Sequence, residues 1–174
     1  MKIIDPRDVS IHDLPRIGLS CNLHSFYGFG IRRFSKGLYD HAFMQYDPDY
    51  FASQNALFHS VPVEDYMKPY IKMKFFGFDN INSGQRQVMM EAIKRDLGKP
   101  WYKRTYDAVG ILGHILHMPD TLQLPISNYC TEADVKYIRM VGHNIPSHPS
   151  VKRLNRWLID RPDDFSKDGY YFKD

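Results

Sequence analysis

The stretch Tyr39-Asp40-His41-Ala42-Phe43-Met44-Gln45-Tyr46, running into Asp47-Pro48-Asp49, decides how the rest of the chain is read. Its aromatic side chains suit a pleated, half-buried surface, and the Asp-Pro-Asp run stops it with turn chemistry. A second run, Ala56-Leu57-Phe58-His59-Ser60-Val61, has the same character and ends at Pro62, which cannot donate to a ladder. Together they predict a β-hairpin. Upstream, residues 6 to 35 mix turn residues with short apolar runs, including Gly28-Phe29-Gly30, and predict an irregular approach to the first strand.

Downstream the hydrophobic period changes from two to that of a helix. Between Ser83 and Leu97, the side chains of Val88, Met89, Ala92, Ile93 and Leu97 recur on one stripe, and Gly98-Lys99-Pro100 supplies a stop. Ala108, Ile111, Leu112, Ile115 and Leu116 form a second helical stripe, ended by Pro119. Ser127 or Asn128 is a good N-cap for a third helix through Ile138 and Val141 to Gly142, which puts Cys130 in a first turn. Ser150 caps a last helix carrying Val151, Leu154, Trp157 and Leu158, and Pro162 closes it. Strands come first and helices after, so the expected fold is α+β, a small antiparallel sheet packed against helices. A chain of 174 residues, 43% hydrophobic, suits one domain over 1–174.

Composition narrows the partners. Lys and Arg exceed Asp and Glu by 23 to 20 and are scattered, so no basic stripe predicts nucleic acid binding. The start MKIIDPRDVS lacks the pattern of a secretory signal peptide, and no apolar run is long enough for a transmembrane segment, so a soluble, unexported protein is expected. Two cysteines are too few for a disulfide scaffold; free thiols are expected, with a Cys21–Cys130 bridge as the alternative.

Cys130 carries the chemistry. A thiol is a nucleophile only as thiolate, and a helix start lowers its pKa, while Glu132 opposes this and calls for a basic partner. His41 is a candidate partner, because an imidazole in an apolar strand must find bonds for its nitrogens. If residue 41 pairs with residue 59, His41 and His59 share one sheet face at about 5 Å between Cβ atoms, and a one-residue slip would separate them. The bland alternatives are an inert helix cysteine and a satisfied core histidine. The rival chemistry is a zinc site, because Cys21-x-x-His24 and His114-x-x-His117 have spacings a tetrahedral centre uses.

Three blocks resemble a known family in order and spacing: Ile31-Arg32-Arg33-Phe34-Ser35-Lys36-Gly37-Leu38-Tyr39-Asp40-His41-Ala42, Leu57-Phe58-His59-Ser60 and Tyr129-Cys130-Thr131-Glu132. They are similar to the circularly permuted NlpC-type papain-like hydrolases, including the YiiX/YebB-like proteins and, more distantly, lecithin retinol acyltransferase. There the histidine strand precedes the helix that the nucleophilic cysteine opens. Gly98-Lys99-Pro100-Trp101-Tyr102 with Tyr106-Asp107 is similar to the segment before that helix, so the resemblance spans roughly residues 5 to 165. It implies a papain-like fold and a cysteine hydrolase or acyltransferase with Cys130 as nucleophile, His41 as base and His59 as the residue that holds His41. Asp40 replaces the family's commoner Ser, and His59 stands where many relatives carry Glu; Gln54 and Asn55 are the alternatives for the third role. The resemblance implies peptide, cell-wall or lipid acyl substrates and no cofactor. The competing expectation is a silent papain-like module of a larger assembly such as a phage tail, placing the chain in the cytoplasm or on a virion.

Overall fold

The computed structural model describes residues 3–54, 57–100, 126–146 and 149–171; of residues 27, 31, 34, 35, 126–130 and 168 it describes the backbone alone. Six strands, β1 (Arg16–Asn22), β2 (His41–Asp47), β3 (Tyr50–Gln54), β4 (Phe58–Pro62), β5 (Ile71–Phe78) and β6 (Phe165–Tyr171), form one sheet in the order β4-β3-β2-β1-β5-β6. Every pairing is antiparallel. The described helices are α1 (Phe26–Ser35), α2 (Val63–Tyr66), α3 (Ser83–Leu97), α4 (Ile126–Met140) and α5 (Val151–Ile159). The helical stripe over residues 108–116 lies outside the described residues.

The hairpin expectation needs correcting. Pro48-Asp49 makes a two-residue turn, so the chain re-enters the sheet at Tyr50, and β2 pairs with β3 rather than with the strand carrying His59. That strand, β4, lies one place further out, at the sheet edge. Residues 6 to 35 are not irregular either. β1 sits at the centre of the sheet, and Arg16 through Cys21 are all buried, so both faces of its short Ile17–Leu19–Cys21 alternation are covered. Gly18 is required there: a Cβ would come within 2.1 Å of the Phe43 ring. The glycines at 28 and 30 fall inside α1, where Ser25 caps the helix by accepting from the Gly28 N–H at 2.9 Å.

The bounds expected for α3 from its apolar stripe and Gly98 stop, and for α5 from its Ser150 cap, agree with the structure. Asn82 and Gln85 close a reciprocal capping box on α3, and the Ser150 hydroxyl accepts from the Arg153 N–H on α5.

The sheet has two unlike faces. On one, Ile17, Leu19, Ala42, Met44, Ala52 and Phe76 meet Met89 and Ile93 of α3, Val135 and Ile138 of α4, and Leu154 and Leu158 of α5. On the other, Phe43, Phe51, Met73 and Phe75 pack with Val63, Tyr66 and Tyr171. Each such side chain contributes about 1.5–3 kcal/mol by leaving water.

The hydrogen bonds fix which way the helices run. At the end of α4, the Val141 carbonyl accepts from Gln85 of α3 at 3.0 Å, and the next residue, Arg86, donates to the Phe78 carbonyl where β5 finishes. Near its start, Thr131 donates to the Pro149 carbonyl at 2.6 Å, just ahead of α5. Asn155 of α5 accepts from Lys74 at 3.1 Å, and Lys74 lies level with Leu19 and Ala42. α4 and α5 therefore both begin at the end of the sheet where β2 begins with His41.

Candidate functional site

His41 is the first residue of β2 and pairs with Ser20 of β1. Phe43, two residues on, pairs with Ser53, and Ser53 pairs with His59. With a side-chain period of two, His41, Phe43, Ser53 and His59 share the aromatic face. The histidines are not cross-strand neighbours, because β3 runs between them.

Ser53 occupies the position that sequence reasoning assigned to His59. Its Oγ lies 2.8 Å from His41 Nε2 and 3.1 Å from the Tyr66 hydroxyl, which makes a chain from imidazole to phenol. His59 instead donates from Nδ1 to the carbonyl of Leu57, just ahead of its own strand, at 2.8 Å. The His41 ring lies 6.3 Å from both Phe43 and Tyr66. Burial among these rings, reinforced by His59, pushes its pKa down to about 4, so the imidazole is neutral at physiological pH. Among the described residues Nδ1 has no hydrogen-bond partner.

The alternatives for the third role separate by face. Gln54 follows Ser53 and pairs with Phe58, so it belongs to the helix-covered face, away from the His41 ring. Asn55 lies outside the described residues. Asp40 is structural. Its buried carboxylate accepts from the Asn22 N–H and pairs with Arg32, which fastens α1 across the β1–β2 end.

Cys130 is the fifth residue of α4, because the helix begins at Ile126 and not at Ser127 or Asn128. It stands in the second turn, where a backbone N–H is ordinarily bonded within the helix; this weakens both the dipole argument and its use as an oxyanion donor. Of Cys130 the backbone alone is described. The topology brings it to the His41 end of the sheet, whereas the described side chains of α4 pack on the face opposite the His41 ring. Cys21 is free and buried, so no bridge joins it to Cys130.

Two buried groups on the helix-covered side escaped sequence reasoning. Asp134, one turn beyond Cys130, is buried with Oδ2 unpartnered, and burial pushes its pKa well up. Lys74 is buried with Nζ 4.3 Å from the Phe76 ring centre, and burial brings its pKa down to about 8. Each is a polar residue inside an apolar stretch, Asp134 in Ala133-Asp134-Val135 and Lys74 in Met73-Lys74-Phe75; that interruption is the signal that could have found them.

The zinc rival finds no support near Cys21. His24 stacks on Tyr70 at 4.4 Å, and among the described residues no group of three or more His, Cys, Asp and Glu could hold a metal ion. His114 and His117 lie outside them. Among the described residues no helix is long and apolar enough to cross a membrane. No model of a known family and no curated protein matches the chain.

Proposed function

We propose that the chain is a papain-like cysteine hydrolase or acyltransferase in which Cys130 attacks a carbonyl carbon, His41 moves the proton, and Ser53, backed by Tyr66, holds the imidazole. The supporting observation is the state of His41: neutral, fixed through Nε2, with Nδ1 unengaged among the described residues, at the sheet end where α4 begins. Cys130 gives its thiol proton to His41 and the sulfur bonds to the carbonyl carbon. The imidazolium then protonates the leaving amine or alcohol as the tetrahedral adduct collapses to a thioester. Water, or an acceptor hydroxyl or amine, attacks the thioester with neutral His41 again taking the proton. The substrates are peptide or cell-wall amides or lipid acyl esters.

A second reading, a silent module of the same fold within a larger assembly, is favoured by one specific observation: the described side chains of α4 pack away from the His41 ring. Alkylation separates the two. With neutral His41 taking the thiol proton, iodoacetamide at neutral pH labels Cys130 much faster than buried Cys21, whose thiol burial pushes up. His41→Ala then slows that labelling, and Cys130→Ala abolishes hydrolysis of peptide-amide or acyl-ester panels. Equal labelling of both cysteines, or indifference to His41→Ala, establishes the silent module instead. Hydrolysis withstands exhaustive chelation, since the proposed chemistry uses a thiolate.

A further inference from the structure

Residues 3–13 cross the aromatic face of the sheet as a strap. The Ile4 N–H donates to the Tyr170 carbonyl of β6 at 2.9 Å, and the Pro6 carbonyl accepts from Arg16 and Gln45, each at 2.9 Å. The Asp13 carbonyl then accepts from Arg86 of α3 at 3.3 Å. Arg16 pairs with Gln45 while Ser20 pairs with His41, so by Pro6 the strap has reached the end of the sheet remote from His41. There the row Met73, Phe75, Gly77 of β5 lacks a side chain at its last position, and the partner of Gly77 on β6 is the small Ser166. The bonds hold the strap above a stretch of sheet without bulk, and between them lies a cavity of about 570 Å³. That is within the range of sites for small molecules.

The lining sorts by depth. Arg16, Gly77 and Phe78 are buried, whereas Asp8, Asp13, Asp79 and Lys167 are exposed. Arg16 is 4% exposed, and its donation to Gln45 Oε1 at 2.7 Å fixes a guanidinium at the inner part. Ile4 and Val9 add an aliphatic strip to the wall. Charges of both signs thus face one space, yet no ion pair joins Asp8, Asp13 or Asp79 to Arg86 or Lys167. Arg86 donates to the carbonyls of Phe78 and Asp13 instead. Carboxylates from the strap and the end of β5, held apart from an ammonium on β6, suit a ligand that carries both charges itself and an apolar body between them.

We propose that this cavity binds a short aliphatic peptide with both termini free, its ammonium on Asp8, Asp13 and Asp79, its carboxylate on Lys167 and its side chains against Ile4 and Val9. The site stands at the other end of the sheet from His41 and is independent of the thiol chemistry above.

Calorimetric titration of the full chain with the dipeptide alanyl-leucine tests it. Saturable binding is expected, and N-acetylation or C-terminal amidation of the dipeptide each weakens it about tenfold or more, because each removes a charge-assisted hydrogen bond. Asp13→Asn/Asp79→Asn weakens the free dipeptide by a similar factor but leaves the N-acetylated form unaffected, and Lys167→Gln does the same with respect to the amide. Circular dichroism stays unchanged, since these three side chains are exposed and make no bond that holds the fold. Cys130→Ala binds like the unaltered chain, so failure of the enzyme reading leaves this result standing. Absence of saturable binding overturns the proposal, as does equal affinity for the free and doubly capped dipeptides. Tighter binding of spermidine than of the dipeptide assigns the cavity to a simple cation and also overturns it. So do amide chemical-shift changes centred on His41 and Ser53 in place of Gly77 and Lys167.

Discussion

On the helix-covered face of the sheet burial is mostly aliphatic, with Ile17, Leu19 and Met44 against Ile93, Val135, Ile138, Leu154 and Leu158. On the other face it is aromatic, with the Phe43 ring 4.4 Å from Phe51, 5.1 Å from Tyr66 and 5.9 Å from Phe75. The difference decides what each side can do with a buried polar group. On the helix-covered face the donors of Tyr137 and Lys74 go to Asp96 and Asn155, and Asp134 is left with an unpartnered oxygen. An aromatic layer carrying a phenol and a neighbouring serine gives His41 a bonded nitrogen within an apolar shell. One face supplies stability, and the other holds a neutral imidazole in a fixed orientation.

Core truncation separates the two faces most visibly. Ile138→Ala removes a fully buried side chain from the helix-covered face and is expected to cost about 2–5 kcal/mol in urea unfolding. The His41 ring resonances stay where they were, because the layers are separate. Gly18→Ala strikes the opposite side: its new methyl meets the Phe43 ring, and overpacking of this kind costs about 1–3 kcal/mol. Here the His41 resonances move with the stability, because Phe43 flanks His41. If Ile138→Ala shifted His41 as strongly as Gly18→Ala does, the two faces would be one coupled core.

How far these features were legible depends on whether the signal was local. α3 was readable from its apolar stripe with the Gly98 stop, and α5 from Ser150, which caps an orphan N–H a few residues away. β1 was not, because its alternation of Ile17, Leu19 and Cys21 is short and is interrupted at Gly18, whose role depends on Phe43 of the next strand. β3 was hidden by reading Asp47-Pro48-Asp49 as a longer loop, and the hidden strand changed the register that sequence reasoning gave to His59. The sequence therefore identified His41 as a residue needing a partner but missed Ser53, whose role depends on a pairing twelve residues away. For Cys130, helical periodicity located the helix but placed its first residue one or two positions late, at Ser127 or Asn128 instead of Ile126.

Acid unfolding tells the faces apart by sign, because they bury neutral groups of opposite type. His41 has its folded pKa lowered from 6.5 to about 4. The unfolded chain thus takes up the proton first; the contribution of His41 to stability is complete above about pH 6.5 and is lost as pH falls toward 4. At roughly 1.4 kcal/mol per unit the loss is about 2 kcal/mol by pH 5, and His41→Gln should flatten that limb of the stability curve. Asp134 has its folded pKa raised by burial, so its contribution is complete below the ordinary carboxyl value of 3.8 and is lost as pH rises above it toward the folded value. Asp134→Asn should therefore raise stability at pH 7 and leave the acid limb to His41. Titrating urea midpoints of both variants across the acid-to-neutral range checks the two signs.

The smallest effect tests how the aromatic face holds His41. Tyr66→Phe keeps a ring against Phe43 and Phe51, at 5.1 and 5.3 Å, and deletes only the hydroxyl 3.1 Å from Ser53. Losing one such hydrogen bond costs about 0.5–1.5 kcal/mol, less than either core change. The more telling readout is the imidazole. With Tyr66 present, its hydroxyl oxygen can accept from Ser53, which leaves the Ser53 oxygen to accept from Nε2–H and keeps Nδ1 of His41 unprotonated. Without it, the Ser53 hydroxyl can turn to donate to Nε2, which moves the proton to Nδ1. Nitrogen-15 chemical shifts of the His41 ring should accordingly show a change of tautomer in Tyr66→Phe. In a Ser53→Ala background, adding Tyr66→Phe should leave those shifts unchanged. Ring shifts identical in all these variants would show that Ser53 and Tyr66 pack beside His41 without orienting it, and the two faces would then differ in composition alone.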